Sequence, residues 1–491
     1  MTHSYHIFYF PFKWEIEDVE SANFSEQIDL KRINYCFPSS WERTQTPDPG
    51  EETGLYNEKN YYYKFVHNIL YDEKENTMEL IRHFERKEPK NPLNNIHYLI
   101  KIKGRDEPYK LVIDAMNINL YATGVGFMSF YLKNQQEGQS APEDILAINQ
   151  YGRRILPPFY DDISFRNETS ESISIEGLHS GKRYMEDFSR YTANDSWKPA
   201  SFITELIHEL SDNINIEPII DDRMYIASWY KNDKLTDQFT KDNQAYCNTN
   251  NDFSSFWYKY IFVDYSFETC QNDEKKKELL IKHTYLRWQK RSSLYGASKY
   301  SFVYLTNNDV PGYLLGSFQT IYARMVELVL VQRASMLRFS GEVTKVSNLS
   351  KQEVDVISER ISSLYKEYIR FINQIYFREV TAQDQGIELY EKLQSSLKME
   401  EYIKDLDNEI GELHDYVSLK EDRSRNKKAT LLNDIATLFL PITVITGFWG
   451  MNTVDAVINA DNNQGIITQC ILLIVGTLCA LCVIFNRKRK L

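Results

Sequence analysis

Two apolar runs of membrane length close the chain. The first spans 429–448 and the second spans 466–486. Each has roughly the 20 residues an α-helix needs to cross a hydrocarbon core of about 30 Å. The link between them, 449–465, holds Asp455 and Asp461 and no Lys or Arg. Cations stand at the other ends: Arg423, Arg425, Lys427 and Lys428 before the first run, and the basic tail 487–491 after the second. The positive-inside rule then predicts a multi-pass protein with both termini cytoplasmic and the link outside. The opening Met1-Thr2-His3-Ser4-Tyr5 lacks a charged n-region and an apolar stretch, so no signal peptide is expected.

Upstream, the pattern changes character near Pro311-Gly312. Residues 1–315 predict a mixed α/β cytoplasmic domain. Strands are expected at 5–12, 61–71, 78–86, 96–103, 109–120 and 125–132, which are rich in β-branched and aromatic residues. Helices are expected at 143–155, 198–210 and 275–290, and a polar loop at 233–252. Residues 316–428 predict long helices forming a stalk or funnel. The first, 318–339, is apolar, but Arg324, Glu327 and Arg333 argue against a third span. The second, 351–377, spaces Ile357, Ile361, Leu364, Tyr368, Phe371 and Ile375 by threes and fours. In the third, Ile403, Leu406, Ile410, Leu413 and Val417 form a seam suited to a partner helix. With no loop signal before the first span, one continuous helix over 385–448 is expected, about 95 Å long. The alternative is a hairpin arm broken near Ser424. The whole is an α+β chain ending in a two-helix transmembrane hairpin.

At 100° per residue, Asn426, Ala429, Asn433, Ala436, Val444 and Gly447 fall within about 40° of Leu440, and Thr437 and Thr443 lie at about 60°. This stripe carries amides at its cytoplasmic end and small or apolar residues above. Intramembrane polar groups usually face a bundle interior or water, so the stripe suits a pore wall. Leu440 would form an apolar constriction. The bland reading of Asn433 is a hydrogen bond to a neighbouring helix. Asp434 lies off the stripe and is expected to pair with a cationic flank, its own or a neighbour's. Pro441 removes one backbone hydrogen bond and invites a kink.

The formal charge of −12 argues against nucleic acid, which needs a basic face. Cys36, Cys247 and Cys270 are expected as reduced cytoplasmic thiols. Cys470, Cys479 and Cys482 fall in the second span as small packing residues. There is no nucleotide-binding glycine pattern, no HExxH and no GxSxG, so neither an enzyme nor an ATP-driven pump is expected. Glu205, His208 and Glu209 are the nearest approach to a ligand cluster, and a solvated helix face accounts for them better.

Gly450-Met451-Asn452 ends the first span. Together with Asn426, residues 435–443, Gly447 and the basic tail, it resembles the CorA family of divalent metal-ion transporters. The close likeness covers about 65 residues. It implies a homopentamer in the plasma (inner) membrane, with five first spans lining a pore and the second spans around them. The cytoplasmic part would be an α/β/α domain with a helical funnel. Gly450, Met451 and Asn452 would form the ion-selective outer mouth. Asn426, Ala429, Asn433, Ala436, Leu440, Thr443 and Gly447 would line the passage. Mg²⁺ would be the transported ion and would also regulate, through cytoplasmic carboxylates that no motif here places. No organic cofactor is implied. Trp449, the sparse acidic loop and the long N-terminal domain depart from the family pattern. Transport of Zn²⁺, Co²⁺ or Ni²⁺, or a membrane-anchored sensor or scaffold, are the competing readings.

Overall fold

The computed structural model describes residues 2–17, 24–36, 40–44, 58–72, 79–87, 95–155, 170–178, 184–188, 199–221, 223–347, 354–450, 471 and 474–478. They form two compact units, 1–351 with 359–411, and 352–358 with 412–491.

The first unit is built on one large mixed sheet. Its centre is β1 (Ser4–Ile16), hydrogen-bonded antiparallel to β6 (Val125–Asn134) on one side and β10 (Tyr225–Lys231) on the other. Beyond β6 lie β5 (Tyr109–Tyr121), β4 (His97–Lys101), β7 (Ser172–Glu176) and β8 (Tyr184–Asp187). Beyond β10 come β13 (Ser301–Thr306), β12 (Ser293–Ala297) and β11 (Thr284–Tyr285). Among the described residues only β10 and β13 pair in parallel. Their crossover carries α6 (Asp233–Lys241), α7 (Asp252–Phe262) and α8 (Asp273–His283).

Both faces of the sheet are covered. On β1, Phe8 meets Gly152 at the end of α4 (Pro142–Gly152), and His6 bonds Asn149 of the same helix. A Cβ on Gly152 would sit 2.7 Å from Ile100 and 2.8 Å from Phe8, so the helix can approach this closely only without a side chain there. The alternate residue Tyr9 faces the other way and donates to the Ala323 carbonyl at 3.0 Å. That carbonyl opens α10 (Ala323–Ser347), which lies along β1 and β6. The sequence expectation of helices on both sides of a sheet is met in this unit.

Helix α10 follows α9 (Tyr313–Ser317) and a π-helical turn, Phe318–Tyr322. The run 313–346 is long and apolar enough to cross a membrane, yet most of it is buried inside this domain. Two of its charges, Glu327 and Arg338, find partners there. Buried Glu327 accepts from Asn119 Nδ2 (2.5 Å) and Tyr121 OH (2.7 Å), and burial raises its pKa. Arg338 donates to the Gly124 and Trp14 carbonyls at 2.6 and 3.0 Å and to Glu15 at 3.1 Å. Gly124 has φ +72°, and a Cβ there would lie 2.6 Å from the Arg338 guanidinium carbon.

Four expectations fail, each for a local reason. Residues 61–71 are not a strand. They form α2 (Glu58–Tyr61), a 3-10 turn at Lys64–Val66 and α3 (His67–Leu70), with Val66, Ile69 and Leu70 buried. The loop expected over 233–252 is limited to 242–251, because 233–241 form a helix. Asn232 accepts from Leu235 N at 3.0 Å and caps α6, whose Leu235 and Phe239 are buried. The helix expected over 275–290 ends at His283, because Thr284 and Tyr285 pair with β12. The long third helix is interrupted. α12 (Asp384–Ser396) stops, Lys398 adopts φ +55°, and α13 (Met399–Gly450) begins. Left-handed geometry costs a non-glycine residue about 1 kcal/mol. Burial of Leu397 and Met399 on either side offsets it. No break occurs at Ser424.

Before α12, α11 (Val354–Gln374) buries Ile361, Leu364, Tyr368 and Phe371 at the expected spacing. Within the first unit Tyr368 OH meets Asp407 Oδ1 of α13 at 3.1 Å, beside buried Leu406 and Ile410 of the seam. Cys36, Cys247 and Cys270 are free thiols.

A candidate pore helix

Every described residue of the proposed pore wall lies on α13. The helix is continuous over 399–450 and passes through Pro441, whose missing N–H takes one hydrogen bond out of its ladder. Asn426, Ala429, Asn433, Ala436, Leu440 and Thr443 are all exposed, so one continuous helix face presents them together. Gly447 lies in the same helix and Gly450 is its last residue. Met451 and Asn452 fall outside the described residues.

The threonines are bound in a common way. Thr430 donates to the Asn426 carbonyl (2.8 Å), Thr437 to Asn433 (2.7 Å) and Thr443 to Phe439 (2.6 Å). Each hydroxyl hydrogen is thus occupied within the helix. What remains on each oxygen is acceptor capacity. A cation or the hydrogens of its hydration water would find acceptors there. Leu440, 61% exposed, interrupts this polar run with a branched apolar side chain.

The other faces of the same helix are also bare. Leu431 and Leu432 are 60% and 66% exposed, and Phe439 is 56% exposed. In the second apolar run, residues 474–478 are helical, with Ile474, Val475 and Leu478 exposed. The rest of that run, apart from Ile471, lies outside the described residues. Bare leucines at this density are not the surface of a water-soluble helix, which exposes scattered apolar side chains rather than a continuous sleeve. The charges change where the sleeve starts. Below it, Glu421 pairs with Arg425 at 3.0 Å and bonds Ser358. Asp434 makes no ion pair with the described residues of its own chain. Its own Lys427 and Lys428 stand seven and six positions away, not the three or four at which side chains on one helix meet.

The Glu205, His208 and Glu209 group is not a metal site. Glu209 accepts from Arg86 at 2.8 Å and from the Tyr184 hydroxyl. The Arg86 side chain is fully buried, between Trp41 and Tyr184. Glu209 is thus a counter-ion rather than a solvated carboxylate, which the sequence could not indicate because Arg86 is 123 positions away. No group of three or more His, Cys, Asp or Glu side chains is arranged to hold a metal among the described residues.

No curated protein matches the chain. Residues 306–489 match the family described as CorA-like Mg²⁺ transporter protein. The matched stretch starts at the last residue of β13, runs through α9–α13 and takes in both apolar runs. The resemblance first read from a few residues around Gly450 therefore extends over the whole helical part. The helical part of this chain, residues 306–489, is thus similar to the CorA-like Mg²⁺ transporter family.

Proposed function

We propose that the protein is a homopentameric divalent-cation channel of the plasma membrane that carries Mg²⁺ inward, driven by membrane potential and gated by cytoplasmic metal. The hairpin would consist of pore-lining span 429–448, outer loop 449–465 and surrounding span 466–486. Both termini would be cytoplasmic. The family likeness supports cation transport in a membrane.

The observation that carries the reading is the bare apolar sleeve on α13 above Asn426. A single copy leaves Leu431, Leu432, Phe439 and Leu440 in water, and lipid together with further copies would cover them. The polar stripe then turns to the common axis. Five Asn452 amides at the mouth would bond the water shell of a cation without stripping it. Mg²⁺ holds its waters tightly, and such recognition suits it. The threonine oxygens, their hydrogens already engaged, would continue as acceptors below. Leu440 would close the passage by excluding water when the ring narrows.

The test is flux into liposomes loaded with a Mg²⁺-sensitive dye. Asn452→Ala is expected to abolish uptake while cross-linking still gives a pentamer. Unchanged uptake would instead favour a membrane-anchored sensor. The same assay with Zn²⁺, Co²⁺ and Ni²⁺ distinguishes the ions.

A further inference from the structure

The first unit holds a cavity of about 780 Å³ whose lining includes none of the residues assigned to the pore. Ligand sites typically occupy about 300–1,000 Å³ and combine aromatic walls with a few polar groups. This cavity fits that description. Its inner wall is a pair of stacked tyrosines, Tyr295 of β12 and Tyr304 of β13, with ring centroids 4.2 Å apart and planes within 9°. Tyr322 stands edge-on to Tyr295 at 6.0 Å and 70°. On the solvent side Trp288 and Tyr313 are 41% and 57% exposed, large rings that a globular domain would ordinarily cover.

The polar groups are amides and hydroxyls. Gln385, in the first turn of α12, donates to the Tyr322 hydroxyl at 2.7 Å and accepts from the Trp288 indole at 2.7 Å. It fixes two of the rings from opposite sides. Gln383 and Asn307 add further amide edges. Arg291 and Asp309 are the charged lining groups; both are exposed, and neither has an ion pair among the described residues. Their charges cancel, so the site does not select a polyanion.

The backbone supports the same conclusion. The π-helical turn Phe318–Tyr322 forms part of the wall. It sends Phe318 inward, parallel to Phe302 within 13°, while Ile321 and Tyr322 line the cavity. The wide turn is tied down by its neighbours, with Tyr62 OH on the Ile321 carbonyl (2.5 Å) and Thr320 on the Gly316 carbonyl (2.9 Å). Such turns inside helices occur often at functional sites.

We propose that this cavity binds a small planar heteroaromatic ligand of the nucleoside type, its ring stacked on the aromatic walls and its edge read by the amides. Flat faces with donor and acceptor groups at their rim select a heterocycle over an aliphatic tail, and the absence of net charge selects a nucleoside over a triphosphate. The site does not depend on the transport reading.

The test is calorimetry with adenosine and guanosine on the full chain in lipid nanodiscs, with ribose as comparator. Saturable binding of a nucleoside at one site per chain is expected. Trp288→Ala should weaken it at least about fivefold, the low end of base–aromatic stacking, and Trp288→Phe should retain it. Trp288 is partly exposed, so both variants should melt with the parent. No heat from either nucleoside up to about 1 mM, equal binding of ribose, or a Trp288→Ala variant that binds as well as the parent would each overturn the assignment.

Discussion

Helices α10 and α13 are both long and both rich in leucine, yet they satisfy opposite demands. In α10, Met325, Leu328, Val329 and Phe339 are buried against the sheet, and the charges Glu327 and Arg338 each find partners on β-strands or on the loops that join them. The helix is finished within its own chain. Above residue 429 the described leucines of α13, Leu431, Leu432 and Leu440, have no such cover, Asn433 is exposed, and Asp434 has no ion pair among the described residues. Apolar content alone therefore does not distinguish a core helix from a membrane helix. The difference lies in whether the apolar side chains are covered inside the chain, as on α10, or left bare, as at Leu431, Leu432 and Leu440.

The comparison can be broken most directly with one substitution in each helix. Leu328→Ala, at a site 2% exposed, should cost the sheet domain about 2–5 kcal/mol through lost burial and a residual cavity. Leu432→Ala, at a site 66% exposed, should leave the same unit within about 0.5 kcal/mol of the parent. Denaturant melts of the two variants, followed by the fluorescence of the sheet domain, give the numbers. Equal losses would mean that α13 is packed against its own chain, and the case for lipid and sister subunits would fail.

A second contrast is in pH. The sheet domain buries His6 and His83, and desolvation lowers both to about 4. His6 sits between Asn149 (2.7 Å) and Ser228 (3.3 Å), and His83 against Asn119 at 2.6 Å. Unfolded, each would titrate near 6.5. Between those values the unfolded chain binds more protons, so stability is full above about 6.5 and falls as pH drops toward 4. Each histidine should remove about 2–3 kcal/mol over that window. Urea midpoints at pH 7 and pH 4.5 measure the slope, and His6→Gln should flatten it. A midpoint that does not move would mean that these rings are reached by water in the native state.

Much of this architecture was legible beforehand, and the failures follow a rule. Helix α11 and the seam of α13 were readable because one face is buried and the other is wet, which writes a period into the chain, whereas α10, buried all round over 325–332, was readable as a long apolar run. The strands β1, β4, β5 and β6 were found through their β-branched and aromatic runs. Strands β10, β12 and β13 were missed. Tyr225–Lys231 and Ser301–Thr306 are buried on both faces, so no alternation marks them. The bend at Lys398 was invisible because a lysine in the left-handed region leaves no sequence signature; a glycine would have been noticed. The stripe from Asn426 to Thr443 was legible as geometry, since the 100° step fixes which residues share a face.

The smallest effect tests why the region 233–252 looked like a loop. Its composition is polar, and polar residues there were taken as turn-formers. In fact Asn232 does two jobs. Its oxygen accepts from Leu235 N at 3.0 Å, and its amide donates to the Tyr230 hydroxyl at 2.8 Å. The first bond starts α6 and the second ties that start to β10. With the cap in place, Leu235 and Phe239 reach the core, Thr236 is buried with its hydroxyl donating to the Asp233 carbonyl, and Asp237 stays outside. Asn232→Ala should therefore cost about 1 kcal/mol, the usual worth of a side-chain cap, and Asn232→Asp should keep most of it. Hydrogen exchange of the α6 amides is the sensitive readout, because fraying begins at the uncapped end. If exchange is unchanged in Asn232→Ala, burial of Phe239 alone holds the helix, and polar composition misled for a different reason.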